Sequence, residues 1–182
     1  MLHIIDERIK YADFELVIRR EDLIHKYISG NKFRKLKYNI LEAKKLNKKI
    51  LLTFGGAYSN HIAATAFSGK KNEFETIGII RGEELEKSIE SNPTLSFAKS
   101  CGMKLIFISR ENYRNKTNKA FIESLKTEFG DFYLLPEGGT NDLAILGSEE
   151  ILNPKDSQYD YVCTAVGTGG TITGLINASY SH

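Results

Sequence analysis

The sequence predicts an α/β fold, with parallel sheet covered by helices on both faces in three layers. Three observations carry this. Strand-like and helix-like stretches alternate along the chain. Several strand-like stretches are continuous apolar runs, as expected of strands buried on both faces. Glycine-rich turns, Gly55-Gly56, Gly138-Gly139 and Gly167 to Gly170, fall where those runs stop. Open α/β sheets bind ligands there, outside the C-terminal ends of their strands.

The elements follow in order. Phe14 to Arg19 is a short apolar-rich strand. From Lys32 to Leu46, Phe33, Leu36, Ile40, Ala43 and Leu46 recur at helical spacing, with lysines on the other face. Ile50 to Phe54 is a buried strand closed by Gly55-Gly56. Ser59-Asn60 caps a helix through Phe67, with Gly69 at its end. Thr76 to Ile80 is a strand, and Asn92-Pro93 starts a helix that Gly102 stops. Lys104 to Ser109 is a strand, Thr117 to Phe129 a helix stopped by Gly130, and Phe132 to Leu135 a strand. Asn141 to about Leu152 is a helix and Tyr159 to Val166 a strand, after which the Gly167 turn opens a last helix.

Composition narrows the function classes. The chain has 182 residues, one domain and a little over at roughly 150 residues per domain. With 26% charged and 41% hydrophobic residues it reads as a globular protein rather than a disordered one. A net charge of +2 lacks the basic excess of a nucleic-acid binder. No apolar run approaches the roughly 20 residues that span a bilayer. The N-terminus turns acidic at Asp6-Glu7, unlike a signal peptide. Cys101 and Cys163 form no CxxC, so a reducing cytoplasm is expected. Cys101 is expected to pack at a helix end and Cys163 to fill a core strand. The histidines lack ligand spacing, so no metal site is expected.

Three motifs can carry chemistry. Gly167-Thr168-Gly169-Gly170-Thr171 follows an expected strand and opens a helix. Its backbone can approach an anion closely, and free N–H groups at a helix start attract one. It reads as a phosphate cup or as a ligand-free tight turn. It is not a P-loop, because no Gly-Lys-Ser/Thr follows, and it matches a dinucleotide fingerprint only loosely. Gly55-Gly56-Ala57-Tyr58-Ser59-Asn60-His61 puts a hydroxyl, an amide and an imidazole at a helix start. This suits a carboxylate or phosphate, or is an ordinary cap. A serine hydrolase is a further alternative, but the Gly-x-Ser-x-Gly pattern is absent and no acidic partner is evident. In Ser29-Gly30-Asn31-Lys32-Phe33-Arg34-Lys35, the helix end and neighbouring cations are expected to depress the pKa of Lys32, as a Schiff-base amine needs. Alternatively these lysines are a solvated helix face.

Together with Pro136-Glu137-Gly138-Gly139-Thr140-Asn141, and in this order, these motifs resemble the pyridoxal-phosphate-dependent 1-aminocyclopropane-1-carboxylate deaminases and D-cysteine desulfhydrases. The likeness runs from about Asp13 to Ala178. It implies the tryptophan synthase β-like fold (fold type II) and pyridoxal 5'-phosphate as cofactor. Lys32 matches the lysine that bonds the cofactor and moves the proton at the substrate α-carbon. Asn60 matches the residue beside the cofactor's phenolic oxygen. Ser59, Asn60 and His61 match the loop for the substrate carboxylate, with Ser59 also a catalytic acid/base or nucleophile. Gly167, Thr168, Gly169, Gly170 and Thr171 match the phosphate cup, and Lys35 assists near the phosphate. The expected class is a deaminase, lyase or hydrolase of amino-acid metabolism. The substrate is a small amino acid, with neither nucleic acid nor membrane as partner, and the assembly a homodimer.

Two departures stand out. Tyr58 occupies a position often held by glutamine in that family. The family's chains also continue beyond the phosphate cup, whereas this one closes at Ser179-Tyr180-Ser181-His182. The expected division is a partial cofactor-binding domain from 1–45 and 136–182, with a smaller inserted α/β domain at 46–135. The larger domain would be incomplete through C-terminal truncation, with open sheet edge and impaired activity. The competing expectations are a non-catalytic fragment that keeps part of the fold and binds phosphate ligands, and a nucleotide binder using Gly167 to Gly174.

Overall fold

The structure, a computed structural model, describes residues 4–180; Met1 to His3, Ser181 and His182 lie outside them. The chain opens with an antiparallel hairpin of Asp6–Tyr11 (β1) and Phe14–Arg19 (β2), in register from Asp6↔Arg19 to Tyr11↔Phe14. The charged alternation of β1 hid it from the sequence reading. Directly opposed residues share a face. One face therefore carries Ile9, Leu16, Tyr11, Phe14 and Ile18, all exposed. The other carries the Arg8–Glu15 and Arg19–Asp6 pairs. Arg19 also grips Asp156 with two bonds of 2.6 and 2.8 Å and the Ile151 carbonyl at 2.7 Å, tying the hairpin to the 151–158 segment.

The helix Asn31–Lys45 (α1) leads to strand Ile50–Gly55 (β3), helix Asn60–Asn72 (α2) and strand Glu75–Arg81 (β4). Helix Pro93–Ser100 (α3), strand Lys104–Ile108 (β5), the short helix Arg110–Tyr113 (α4), helix Lys119–Phe129 (α5) and strand Phe132–Leu135 (β6) follow. Helices Asp142–Glu149 (α6) and Gly170–Tyr180 (α7) close the described chain. The four longer-range strands form one parallel sheet, order β5-β4-β3-β6.

Side-chain parity along the strands builds the three layers. Leu52, Phe54, Ile77, Ile79 and Phe132 point to one side, where they pack with Tyr113 and Leu125 of α4 and α5. On the other side Ile80, Leu105 and Phe107 meet Ile62, Ala66, Leu95 and Ala98 of α2 and α3. Leu51 and Leu135 meet Leu36, Ile40 and Ala43 of α1. From β3 the chain steps to β4 and β5 on one side, then returns to place β6 on the other. The reversal lies between β3 and β6, so the turns after these two strands border the switch-point crevice at which open α/β sheets bind ligands.

Three sequence expectations need correction. Helix α2 runs past Gly69 to Asn72 and ends at left-handed Glu73. Gly69 serves contact instead, since a Cβ there would lie 2.1 Å from Thr76 Cγ2. Helix α6 stops at Glu149 rather than near Leu152. The expected strand Tyr159 to Val166 forms no ladder. Tyr161 is 88% exposed, and Val162, Cys163 and Val166 are exposed too, so Cys163 is no core residue. A parallel strand needs neighbours to satisfy its backbone and bury its faces, and among the described residues none pairs with this segment. Cys101 is half-buried and packs with the α3 cluster, as expected. Among the described residues no helix is long and apolar enough to cross a membrane.

Candidate functional site

Lys32 and Lys35 lie one turn apart at the start of α1, hence on the same side of the helix. The Lys32 amine donates to Asn31 Oδ1 at 3.2 Å. Burial lowers its pKa from the usual lysine range. The direction agrees with the sequence reading, but the cause is desolvation rather than the helix end or neighbouring cations. Asn31 in turn donates to Thr171 Oγ1 at 2.8 Å, pinning the start of α1 to the start of α7.

Lys35 is only 2% exposed. Its ammonium donates to Thr140 Oγ1 at 2.9 Å, the Gly138 carbonyl at 3.3 Å and Thr168 Oγ1 at 3.5 Å. Those acceptors are all neutral. Burial first, and then the charge of Lys32, lower its pKa to about 8. A buried cation without a carboxylate is costly, and a bound anion relieves that cost. The glycine turns leave room beside it. A Cβ at Gly170 would lie 3.1 Å from the Lys35 amine, and one at Gly138 would lie 2.7 Å from Thr168 Cγ2. Gly138 and Gly139 both have a φ of 68°, which side-chain-bearing residues rarely adopt. Within the cup, Gly167 and Thr168 are exposed, while Gly170 and Thr171 are buried.

On the β3 side, Ser59 caps α2 through Oγ, which accepts from the Ile62 N–H at 3.3 Å. Asn60 is exposed at the first helical position, and Tyr58 before it is 76% exposed. His61 behaves differently. It is 1% exposed, and its Nε2 meets Thr53 Oγ1 at 2.9 Å. The Thr53 hydroxyl donates its only proton to the Leu135 carbonyl at 2.9 Å, so Nε2–H is the donor and Nδ1 carries the lone pair. Burial, followed by the charges of Lys32 and Lys35, lowers the His61 pKa to about 3. The motif Ser59-Asn60-His61 is thus split: Ser59 and Asn60 stand at the crevice, and the His61 ring turns inward.

Sequence reasoning missed several supporting residues. Asn39, fully buried on α1, donates to the Lys35 carbonyl at 2.8 Å. Its Oδ1 accepts from Asn141 at 2.7 Å and from Tyr133 at 3.0 Å. This network joins the backbone beneath Lys35 to the cap of α6. Its signal was an amide between Leu36 and Ile40 on an apolar helix face. Thr53 and Thr140 gave no such signal, because a threonine in a strand or a turn is ordinary. At the outer rim, the Tyr113 hydroxyl donates to Glu137 at 2.9 Å, beneath the Arg81 guanidinium.

No family model matches this sequence. It is 33% identical over 174 residues to a putative 1-aminocyclopropane-1-carboxylate deaminase of Thermotoga maritima, covering 91% of this chain and 54% of that protein. It is 32% identical to the bifunctional mitochondrial D-cysteine desulfhydrase/1-aminocyclopropane-1-carboxylate deaminase of Arabidopsis thaliana, covering 91% and 45%. The crystal structure of a 1-aminocyclopropane-1-carboxylate deaminase homologue superposes with a TM-score of 0.74 at 27% identity, over 90% of this chain and 51% of the other. A pyridoxal 5'-phosphate-dependent aspartate racemase, at a TM-score of 0.59 and 16% identity over 81% and 44%, shares the fold. The relatives' names carry deaminase and desulfhydrase, which leaves the hydrolase expectation without support. The chain spans about half the length of the curated relatives it matches. Over that half, its sequence is similar to proteins named as 1-aminocyclopropane-1-carboxylate deaminases and D-cysteine desulfhydrases, and it has the α/β architecture of fold type II pyridoxal-phosphate enzymes.

Proposed function

We propose that the crevice between β3 and β6 takes pyridoxal 5'-phosphate, and that this site serves a deaminase or desulfhydrase of small amino acids. The reactions are ring opening of 1-aminocyclopropane-1-carboxylate to 2-oxobutyrate and ammonia, or elimination from D-cysteine to pyruvate, sulfide and ammonia. The observation that carries the reading is Lys35, a buried cation that meets only neutral acceptors, one turn from the half-buried amine of Lys32.

The residues present fit the group. The phosphate suits the cradle of Gly138, Thr140, Thr168, Gly169, Gly170 and Thr171 beside Lys35, and Gly167 opens the turn. Lys32 is the amine that would hold the cofactor, and its lowered pKa leaves more of it unprotonated near neutrality. When bound, the cofactor supplies an electron sink for charge developing at the substrate α-carbon. Lys32 then holds or moves the proton at that carbon. The N–H groups at the start of α2, with Ser59 and Asn60, orient the substrate carboxylate. The Ser59 hydroxyl can pass a proton, although it also caps the helix.

The reading includes the division into a cofactor-binding part, 1–45 and 136–182, and an inserted part, 46–135. It also includes a homodimer in a reducing cytoplasm, whose interface would cover the apolar face of the hairpin. The test is release of 2-oxobutyrate or pyruvate by the cofactor-loaded chain, abolished in Lys32→Ala. The exposed, unladdered segment Tyr161 to Val166 favours a second reading, in which the chain binds phosphate-bearing ligands and turns nothing over. Cofactor binding without keto-acid release supports the second. Failure to bind cofactor contradicts the first.

A further inference from the structure

The Gly138 to Thr140 turn is held from two sides. Lys35 reaches it through the Gly138 carbonyl and the Thr140 hydroxyl. On the other side lies the His61 ring, so close that a Cβ on Gly139 would stand 2.7 Å from its Cε1 and 3.1 Å from its Nδ1. The ring is itself fixed, because its Nε2–H meets Thr53, whose own proton goes to Leu135 at the end of β6. Nδ1 is buried and has no hydrogen-bond partner among the described residues. An unpaired buried acceptor is a cost that a purely packing residue would not carry. Phenylalanine or leucine would fill the same space without it.

We infer that His61 is a positioning residue: locked by Thr53, its ring sets the Gly138–Thr140 turn, and through that turn the oxygens that aim Lys35 at an anion. Its neighbours across β3 and β6 make this possible. Thr53 and Leu135 are paired in the sheet at the strand ends that border the crevice. The ring therefore reports the spacing of those two ends to the turn. This role rests on the phosphate site proposed above. It differs from direct contact with a substrate carboxylate, because the ring is inside the protein.

The test uses the full chain and two probes, pyridoxal 5'-phosphate and pyridoxal, which lacks the phosphate. Thr53→Val frees the ring while keeping its volume. It is expected to weaken pyridoxal 5'-phosphate by roughly tenfold, the equivalent of one lost hydrogen bond, with pyridoxal little changed. Thr53→Ser, which keeps the hydroxyl, is expected to restore the affinity. Equal loss of both probes, or loss of neither, overturns the role. Should Thr53→Val not fold, nitrogen NMR of the wild-type imidazole decides. The expected result is Nε2–H, with His61 resonances that move when inorganic phosphate is added. An Nδ1–H tautomer, or phosphate that shifts Lys35 and leaves His61 still, contradicts the role. Phosphate that shifts neither residue removes the anion site itself, and the role with it.

Discussion

The runs Ile50 to Phe54 and Tyr159 to Val166 carry similar strand signals, with aromatic and β-branched residues in both. In the first, Leu51, Leu52, Thr53 and Phe54 are all buried between two parallel neighbours, under helices on each face. In the second, Tyr161, Val162 and Val166 are exposed and no ladder forms. Local propensity is alike, so the difference is made by neighbours. A parallel strand is stabilised by what lies beside and above it, and β3 has β4, β6, α1, α2 and α5 around it. The crevice inherits this contrast. Its β3 and β6 walls are anchored in a closed core, while the Gly167 turn follows the unladdered segment.

Substitutions can break or sharpen that contrast. Leu52→Ala removes a fully buried side chain and is expected to destabilise by about 2–5 kcal/mol in urea unfolding. Lys35→Met should act through pH. The Lys35 pKa is about 8 in the folded chain against 10.5 for the free side chain. The unfolded state therefore binds more protons between these values, and wild-type stability should gain as pH rises from 8 towards 10.5. In Lys35→Met that gain disappears, stability near neutrality increases, and inorganic phosphate no longer protects against unfolding. Arg19→Met cuts the tether from the hairpin to Asp156 and removes the guanidinium that faces its buried carboxylate. It should cost about 1–3 kcal/mol. Val162→Thr, in the unladdered run, is expected to stay within about 0.5 kcal/mol of wild type.

The same contrast explains what the sequence made legible. Strands β3 to β6 and helices α2, α3 and α5 were readable because hydrophobic period and caps agreed with the packing that formed, although α2 overruns Gly69 and the short α4 gave no signal. Asn92-Pro93 and Ser59 act as expected at their helix starts. Strand β1 was not readable, because its register comes from β2 and its ion pairs. Lys32, Lys35 and the three glycine turns could be placed on strand and helix ends from spacing alone. Which way His61 points could not, since that depends on Thr53 eight residues earlier and on the Leu135 carbonyl. The Asn39–Asn141 pair was equally hidden, because it joins residues far apart in the chain.

Lys32, among the many lysines of this chain, is the amine proposed to hold the cofactor. Adding stoichiometric pyridoxal 5'-phosphate, reducing with borohydride and mapping the modified peptide tests it directly. One dominant adduct is expected on Lys32, prevented by neither high salt nor unrelated amines and absent from Lys32→Ala. Adducts spread over exposed lysines such as Lys44 and Lys70, with Lys32 no more modified than they are, would contradict it.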